Sequence, residues 1–373
     1  MRPNNSGSRA FASHRVYART ALALSVFVWV MVFVWMWEFT HSASEAFVRM
    51  ILLYALTQLS TLLITPYASR FLVHGVRRTM LIGTLCASSA FALLGLLTLV
   101  GPAHVLSLWV LVAVLFGAHR AFYYVPYTLE TSTLSLSLTT GLPILIAPFF
   151  FGIILMFSMP IACVIAALLM LISCIPLALV PETYERFSWG YRESFSKLLE
   201  PRFAGFIDHS LTQGIEAMAL YMLWPFVIFF ILAGSYFWLG GIVSLSFICA
   251  MIFRTFFIKP LRTMSPLVHA TATGGAWILR LAIATPIGIV LTQWYALVVS
   301  PHAHDIYDGA ADNSTYIDEF SALKEMSRAA GRLSMALITA FAATILGIPL
   351  AIMTAFIIAG AVAFYSAYVL RWE

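Results

Sequence analysis

Charge is what this chain has least of. Only 10% of its 373 residues are Asp, Glu, Lys or Arg, where a soluble domain of ordinary composition carries about 25%. That scarcity excludes a water-soluble globular protein of this length. The ten-residue alternating segments of a membrane β-barrel are also missing, and runs of about 20 apolar residues stand in their place. Cysteine is sparse: Cys86, Cys163, Cys174 and Cys249 all fall inside apolar blocks. They read as small buried hydrophobes, not as a disulfide framework or a metal site. There is no Gly-x-x-x-x-Gly-Lys-Ser/Thr segment, which argues against ATP-driven export by this chain alone. No Ser/His/Asp nucleophile signature stands out, no cofactor is implied, and the leading reading is not an enzyme. The pI near 9.1 comes from basic residues in loops between apolar blocks. Orientation in a bilayer explains these better than nucleic acid does.

What the chain does have is apolar length. It is 61% hydrophobic, with a mean hydropathy of +0.93. The pattern predicts an all-α polytopic membrane protein with twelve transmembrane helices in two pseudo-symmetric six-helix halves. Expected spans lie near 19–41, 46–66, 79–100, 104–128, 134–158 and 160–180. The second set lies near 203–233, 236–258, 265–285, 287–311, 322–345 and 348–370. A polar tail is expected at 1–18, a first half at 19–180, a charged central loop at 181–202 and a second half at 203–373. The run after the tail is long for a signal peptide and reads as an uncleaved first helix. With the N-terminus inside, 18 of the 21 Lys and Arg residues fall on cytoplasmic segments. That asymmetry places both termini in the cytoplasm. The short outer connections leave no external domain, and a bacterial inner membrane is the expected location.

The halves share one spacing. A shift of 184 residues aligns Arg70 with Arg254, Arg78 with Arg262, Thr79 with Thr263, Met80 with Met264 and Pro102 with Pro286. Tandem duplication is a known route to transporters.

Ionisable groups inside a membrane are costly, so each is a functional candidate. Arg120 follows His119 in the fourth span, with Tyr123 one turn on. It attracts an anionic group, pairs with a titrating acid, or snorkels to the inner headgroups. Glu216 sits mid-span in the seventh helix with Gln213 one turn before it, and Asp208 and His209 lie nearer the cytoplasm. A carboxyl there is costly to ionise, which suits proton binding and release. The tenth span ends with His302, His304, Asp305, Asp308 and Asp312, which read as a polar helix end or as metal-ligand spacing. The 184 shift sets His304 against Arg120. Gln58, Gln293, Trp294, Tyr295 and Arg280 are cavity or packing residues. Glu38, His41, Glu45 and Arg49 suit an ion pair at the first outer turn.

Three short motifs carry a family resemblance. Gly75, Arg77 and Arg78 match the loop signature after the second helix, with Leu72 at its aspartate and Ala68 at its first glycine. Pro181-Glu182-Thr183 with Arg186 follows the sixth span. Ala147-Pro148 with Gly152 lies in the fifth. With twelve spans in two halves, the chain resembles the major facilitator superfamily. The resemblance implies a rocker-type secondary transporter with its cavity between the halves. In that cavity Arg120, His119, Tyr123, Glu216, Gln213 and His304 are expected to face the solute, and Glu216, Asp208 and His209 to carry any proton coupling. Because Leu72 removes the usual gate acid, Asp318, Glu319 and Glu325 are expected to pair with Arg70, Arg77 and Arg78 as an inner gate. The expected partners are the lipid bilayer and a small-molecule solute. A membrane enzyme acting on lipid-linked substrate through the His302–Asp312 cluster, and a non-transporting scaffold, are the alternatives.

Overall fold

The structure is a computed structural model that describes residues 5–97, 105–131, 138–262, 265–283, 285–299 and 317–368, with no strand among them. The helices are α1 (Asn5–Leu22), α2 (Ser25–Thr40), α3 (Ala43–Phe71), α4 (Val76–Leu96), α5 (Val105–Thr131), α6 (Leu138–Phe157) and α7 (Met159–Ala178). A short α8 (Tyr191–Lys197) follows an extended segment, then α9 (Ala204–Met218), α10 (Trp224–Ile231), α11 (Tyr236–Arg262), α12 (Pro266–Leu281), α13 (Pro286–Val299), α14 (Ile317–Leu346) and α15 (Ile348–Tyr368). Serine marks several starts. The side chains of Ser42, Ser158 and Ser265 each accept from the backbone N–H three residues on, which satisfies a donor the helix cannot.

Among the described residues, eight segments are long and apolar enough to cross a membrane: Arg9–Thr40, Ala43–His74, Val76–Leu96, Leu106–Tyr127, Met159–Ala178, Pro201–Ile231, Glu319–Leu346 and Ile348–Tyr368. Leu142–Phe157 and Tyr236–Ile252 are shorter apolar helices. Helices α12 and α13 start where the ninth and tenth spans were expected, and residues 300–311 of the tenth lie outside the described residues. Large apolar side chains face outward, with Phe157 83% and Ile287 74% exposed. Such surfaces suit lipid and not water.

The stretch expected as a polar tail is helical from Asn5, and α1 packs on α7 and α6. The reason is that its polar side chains find partners inside the bundle. His14 is fully buried, with Nδ1 2.9 Å from Ser173 O and Nε2 3.0 Å from Tyr123 Oη. Arg19 donates to Tyr127 Oη at 2.6 Å.

Helix α14 is the hub of the bundle and packs on α3, α9, α15 and α5. It meets α9 through two reciprocal glycines. A Cβ on Gly214 would lie 2.2 Å from Arg328 O, and one on Gly331 would lie 2.2 Å from Leu211 O. Helices α6 and α11 cross in the same manner at Gly152 and Gly240. Helix α3 carries a run of small hydroxyl residues, Thr57, Thr61, Thr65 and Ser69, each donating to the carbonyl four residues before. Thr61 also reaches Gly117 O at 3.3 Å. Their polar groups are thereby satisfied internally, which lets α5 approach closely. That approach positions the site described next.

Candidate functional site

A cavity of about 90 Å³ lies among α1, α2, α3 and α5, with Ser25, Trp29, Tyr54, Gln58, His119, Arg120 and Tyr124 among its lining residues. That volume holds several waters or a small solute. Arg120 is the cation at its wall. Its side chain is 26% exposed, and its Nε lies 3.8 Å from Glu325 Oε1 on α14. Its guanidinium also sits 5.7 Å from the Tyr124 ring centre.

Glu325 is shared. Arg332 Nη1 donates to the same Oε1 at 3.0 Å, and both side chains are only 7% exposed. Arg332 Nη1 also reaches Gln58 Oε1 at 3.5 Å. Glu325, Arg328 and Arg332 fall three and seven residues apart and so share one face of α14. One carboxylate serving two guanidinium groups leaves the centre net positive. In a low-dielectric interior such a centre favours an added anion.

Several buried polar atoms around the cavity make no hydrogen bond: His119 Nε2, Gln58 Nε2 and, beyond its 3.8 Å ion pair, Arg120 Nε, with Arg332 Nε beside them. Their roles follow from their other bonds. His119 Nδ1 lies 2.9 Å from Gly83 O. A carbonyl only accepts, so Nδ1 carries the proton and Nε2 of the neutral ring is an acceptor. Gln58 Oε1 faces an arginine, which only donates, so Gln58 Nε2 is left as a donor.

Expected site residues divide into groups. His119 and Arg120 line the cavity. Tyr123 does not: it is buried against Phe11 and Tyr127, and Tyr124, one residue on, takes the place expected for it. Gln213 sits on α9, where Arg328 Nε donates to its Oε1 at 2.8 Å. Its Nε2 therefore points to His209 Nε2, 2.8 Å away, and His209 Nδ1 lies 3.3 Å from Ser366 Oγ. These two residues form a relay beside α14 and do not line the cavity. Asp208, expected to share proton coupling, is exposed and makes no hydrogen bond or ion pair among the described residues. His304 and the rest of the His302–Asp312 cluster lie outside the described residues.

Glu216 belongs to a separate centre and faces Trp277 and Arg280 of α12. Arg280 is 3% exposed, with its guanidinium 4.1 Å from the Trp277 ring and 5.2 Å from that of Trp224. Trp224 Nε1 donates to Gln293 Oε1 at 2.7 Å. A π-helical turn over Ala219–Leu223 separates Glu216 from Trp224. Eight residues of α-helix would set them about 80° apart. The wider turn absorbs one residue and brings them to nearly the same face.

The inner-gate pairing is different from the one expected. Arg77 Nε donates to Glu182 Oε2 at 3.0 Å, the Arg77 backbone N–H donates to Oε1 at 3.0 Å, and Arg78 lies 3.7 Å from the same carboxylate. Glu319 instead accepts from Ser188 N and Oγ at 3.1 and 2.7 Å. Glu325 is in the central cluster, Arg70 has no ion pair among the described residues, and the Asp318 side chain lies outside them. The extended segment 181–190 is thus fastened to α4 at one end and to the start of α14 at the other. The physical cause is Gly75. Its φ of +123° and bare Cα admit the Glu182 carboxylate, whose Oε1 would lie 2.1 Å from an added Cβ. Gly75→Ala is expected to destabilise the fold by about 1–3 kcal/mol. In a double-mutant cycle with Glu182→Gln the two losses should not add, because both remove one seat. Additive melting shifts would sink that assignment. Just after the turn between α2 and α3, Arg49 pairs with Glu45, the ion pair expected there.

No family model and no curated protein matches this chain. Solved structures do. The human organic anion transporter MFSD10 (TETRAN) aligns over 98% of this chain and 100% of its own, with a TM-score of 0.58 and 13% identity. The nucleoside transporter NupG aligns over 97% of this chain and 98% of its own, with a TM-score of 0.61 and 14% identity. At such identities the likeness speaks for the fold: a multi-pass helical membrane bundle like that of the major facilitator superfamily.

Proposed function

We propose that this chain, whose fold is major-facilitator-like, is a secondary active transporter of a small anionic solute working by alternating access. The observation that carries the reading is the buried carboxylate of Glu325 held between Arg120 of α5 and Arg332 of α14. An incoming anion offers the two arginines a second carboxylate or its equivalent and competes with Glu325 for their hydrogen bonds. Because the arginines sit on different helices, exchange of the internal anion for a diffusible one changes what ties α5 to α14. That gives the solute different contacts in two states, which alternating access requires.

In this reading the chain has twelve spans in two halves, residues 19–180 and 203–373, joined by the central segment and with both termini cytoplasmic. A bacterial inner membrane is its location. Proton coupling, where present, rests on Glu216 beside Arg280, with the Gln213–His209 relay as its link to α14. The segment 181–190 serves as the inner fastening in place of the expected arginine–acid latch.

The test is a ligand-dependent stability screen in detergent with small carboxylates, phosphates and neutral analogues. Wild type is expected to gain melting temperature with anions. At a hundred times its Kd a bound solute adds about 2.7 kcal/mol. Arg120→Ala should lose that gain with every anion. A variant that keeps the full gain, or a panel in which no anion stabilises wild type, would overturn the proposal.

A further inference from the structure

We infer that the cavity selects a small 2-hydroxycarboxylate, with His119 as the residue that reads the hydroxyl. The inference rests on the transporter reading and adds a substrate class to it. Three observations define the ligand's shape. First, the anion now held at the arginines is itself a carboxylate, that of Glu325, whose Oε1 faces both Arg120 and Arg332, so the pair already receives a carboxylate oxygen. Second, Gln58 Nε2 is a buried donor with no hydrogen-bond partner and Arg120 Nε has only its 3.8 Å ion pair, and each suits another acceptor oxygen. Third, His119 is 2% exposed and lines the cavity, yet its Nε2 is an acceptor without a donor. A ligand that is all acceptor leaves that nitrogen unsatisfied. A ligand carrying a donor next to its carboxylate satisfies it. An unmet buried polar atom is what lets a site reject the analogue lacking its partner group.

The donor is a hydroxyl and not an ammonium. Arg120 is adjacent, and it shares the one carboxylate of Glu325 with Arg332, so the centre is net positive and a second positive charge on the ligand is disfavoured. The backbone supports the assignment. His119 Nδ1 is tied to Gly83 O of α4, where the two helices meet so closely that a Cβ on Gly83 would lie 2.7 Å from Tyr123 N. The ring is therefore held by one nitrogen, and the other makes no hydrogen bond within the protein. The cavity's size, about 90 Å³, suits an acid of a few carbons.

The experiment measures binding of lactate, propionate and alanine to purified full-length protein by isothermal titration, in wild type, His119→Asn, His119→Gln and Arg120→Ala. Propionate is lactate without the hydroxyl, and alanine replaces it with an ammonium. Wild type should bind lactate at least tenfold tighter than propionate and tighter than alanine. Asn keeps a donor for Gly83 O but is too short to place its Oδ1 at the Nε2 position, so the lactate-to-propionate ratio should fall toward one. Gln restores an acceptor near the Nε2 position and should recover part of the ratio. Equal binding of lactate and propionate by wild type overturns the inference. If Arg120→Ala abolishes both, the anion-transport reading stands without it. A ratio unchanged in His119→Asn also overturns it. No binding of any probe, with Arg120→Ala indistinguishable from wild type, removes the inference and the reading beneath it together.

Discussion

Glu325→Gln is expected to lower the stability of the protein in detergent by about 3–5 kcal/mol, the cost of breaking a buried ion pair by removing one partner. The change is nearly isosteric, so lost packing contributes little. What it does is leave Arg332, 7% exposed, without its 3.0 Å carboxylate, and Arg120 without a counter-ion. The effect exceeds that of an exposed pair, which is worth about 0–1 kcal/mol. Two further results separate this from a general sensitivity of α14. Glu325→Leu combined with Arg332→Met removes both charges and should recover most of the stability, because an apolar pair of similar volume costs no desolvation. Millimolar acetate should partly restore Glu325→Gln, by giving the arginines a diffusible carboxylate, and act less on the double variant, which keeps Arg120 alone. A single variant as stable as wild type would mean that the arginines are solvated and that the cluster is not the electrostatic centre described above.

Gly331→Val should be the most damaging of the glycine changes, with loss of folded protein on detergent extraction, and Gly331→Ala should cost about 1–3 kcal/mol. The obstacle is backbone. A Cβ at 331 meets Leu211 O at 2.2 Å, and the reciprocal Cβ at 214 meets Arg328 O at 2.2 Å. No rotamer change relieves either contact, so α9 and α14 must separate. That separation would carry Arg328 away from Gln213 and loosen the relay to His209. The internal control is Gly275, whose added Cβ would meet nothing within 4 Å. There Gly→Ala should be neutral or stabilising by about 0.5–1 kcal/mol, since glycine in a helix interior carries an entropic cost. Equal melting shifts at 275 and 331 would show that helix propensity, and not the close crossing, governs this bundle.

Arg120 was legible because a cation in an apolar run is expensive wherever it points. His119 could be read beside it, and the glycine-and-arginine loop at Gly75–Arg78 was recognisable from spacing. The partners were not legible. Arg77 and Glu182 are 105 positions apart, and Arg332 and Gln58 are 274 apart. Several acids on the same side were equally available on charge alone. Packing chose among them: Gly75 opens a seat that Glu182 fills, while α14 turns Glu325 inward toward Arg120. A signal for the central cluster was present in the three- and seven-residue spacing of Glu325, Arg328 and Arg332, once α14 is seen to bury that face. Tyr124 displaced Tyr123 for a similar reason, since α1 folds back as a helix and His14 takes the Tyr123 hydroxyl.

By itself, then, the sequence determined the solvent this chain lives in, its helical character and the approximate place of most helices. Those follow from local quantities, the apolar length of each run and its caps, which need no knowledge of neighbours. Only the tertiary structure decided which charges meet, which polar atoms are left without partners, and which helices touch closely enough to require glycine. Those depend on how helices distant in sequence are brought side by side, and a hydrogen bond of 3 Å is settled by that packing alone.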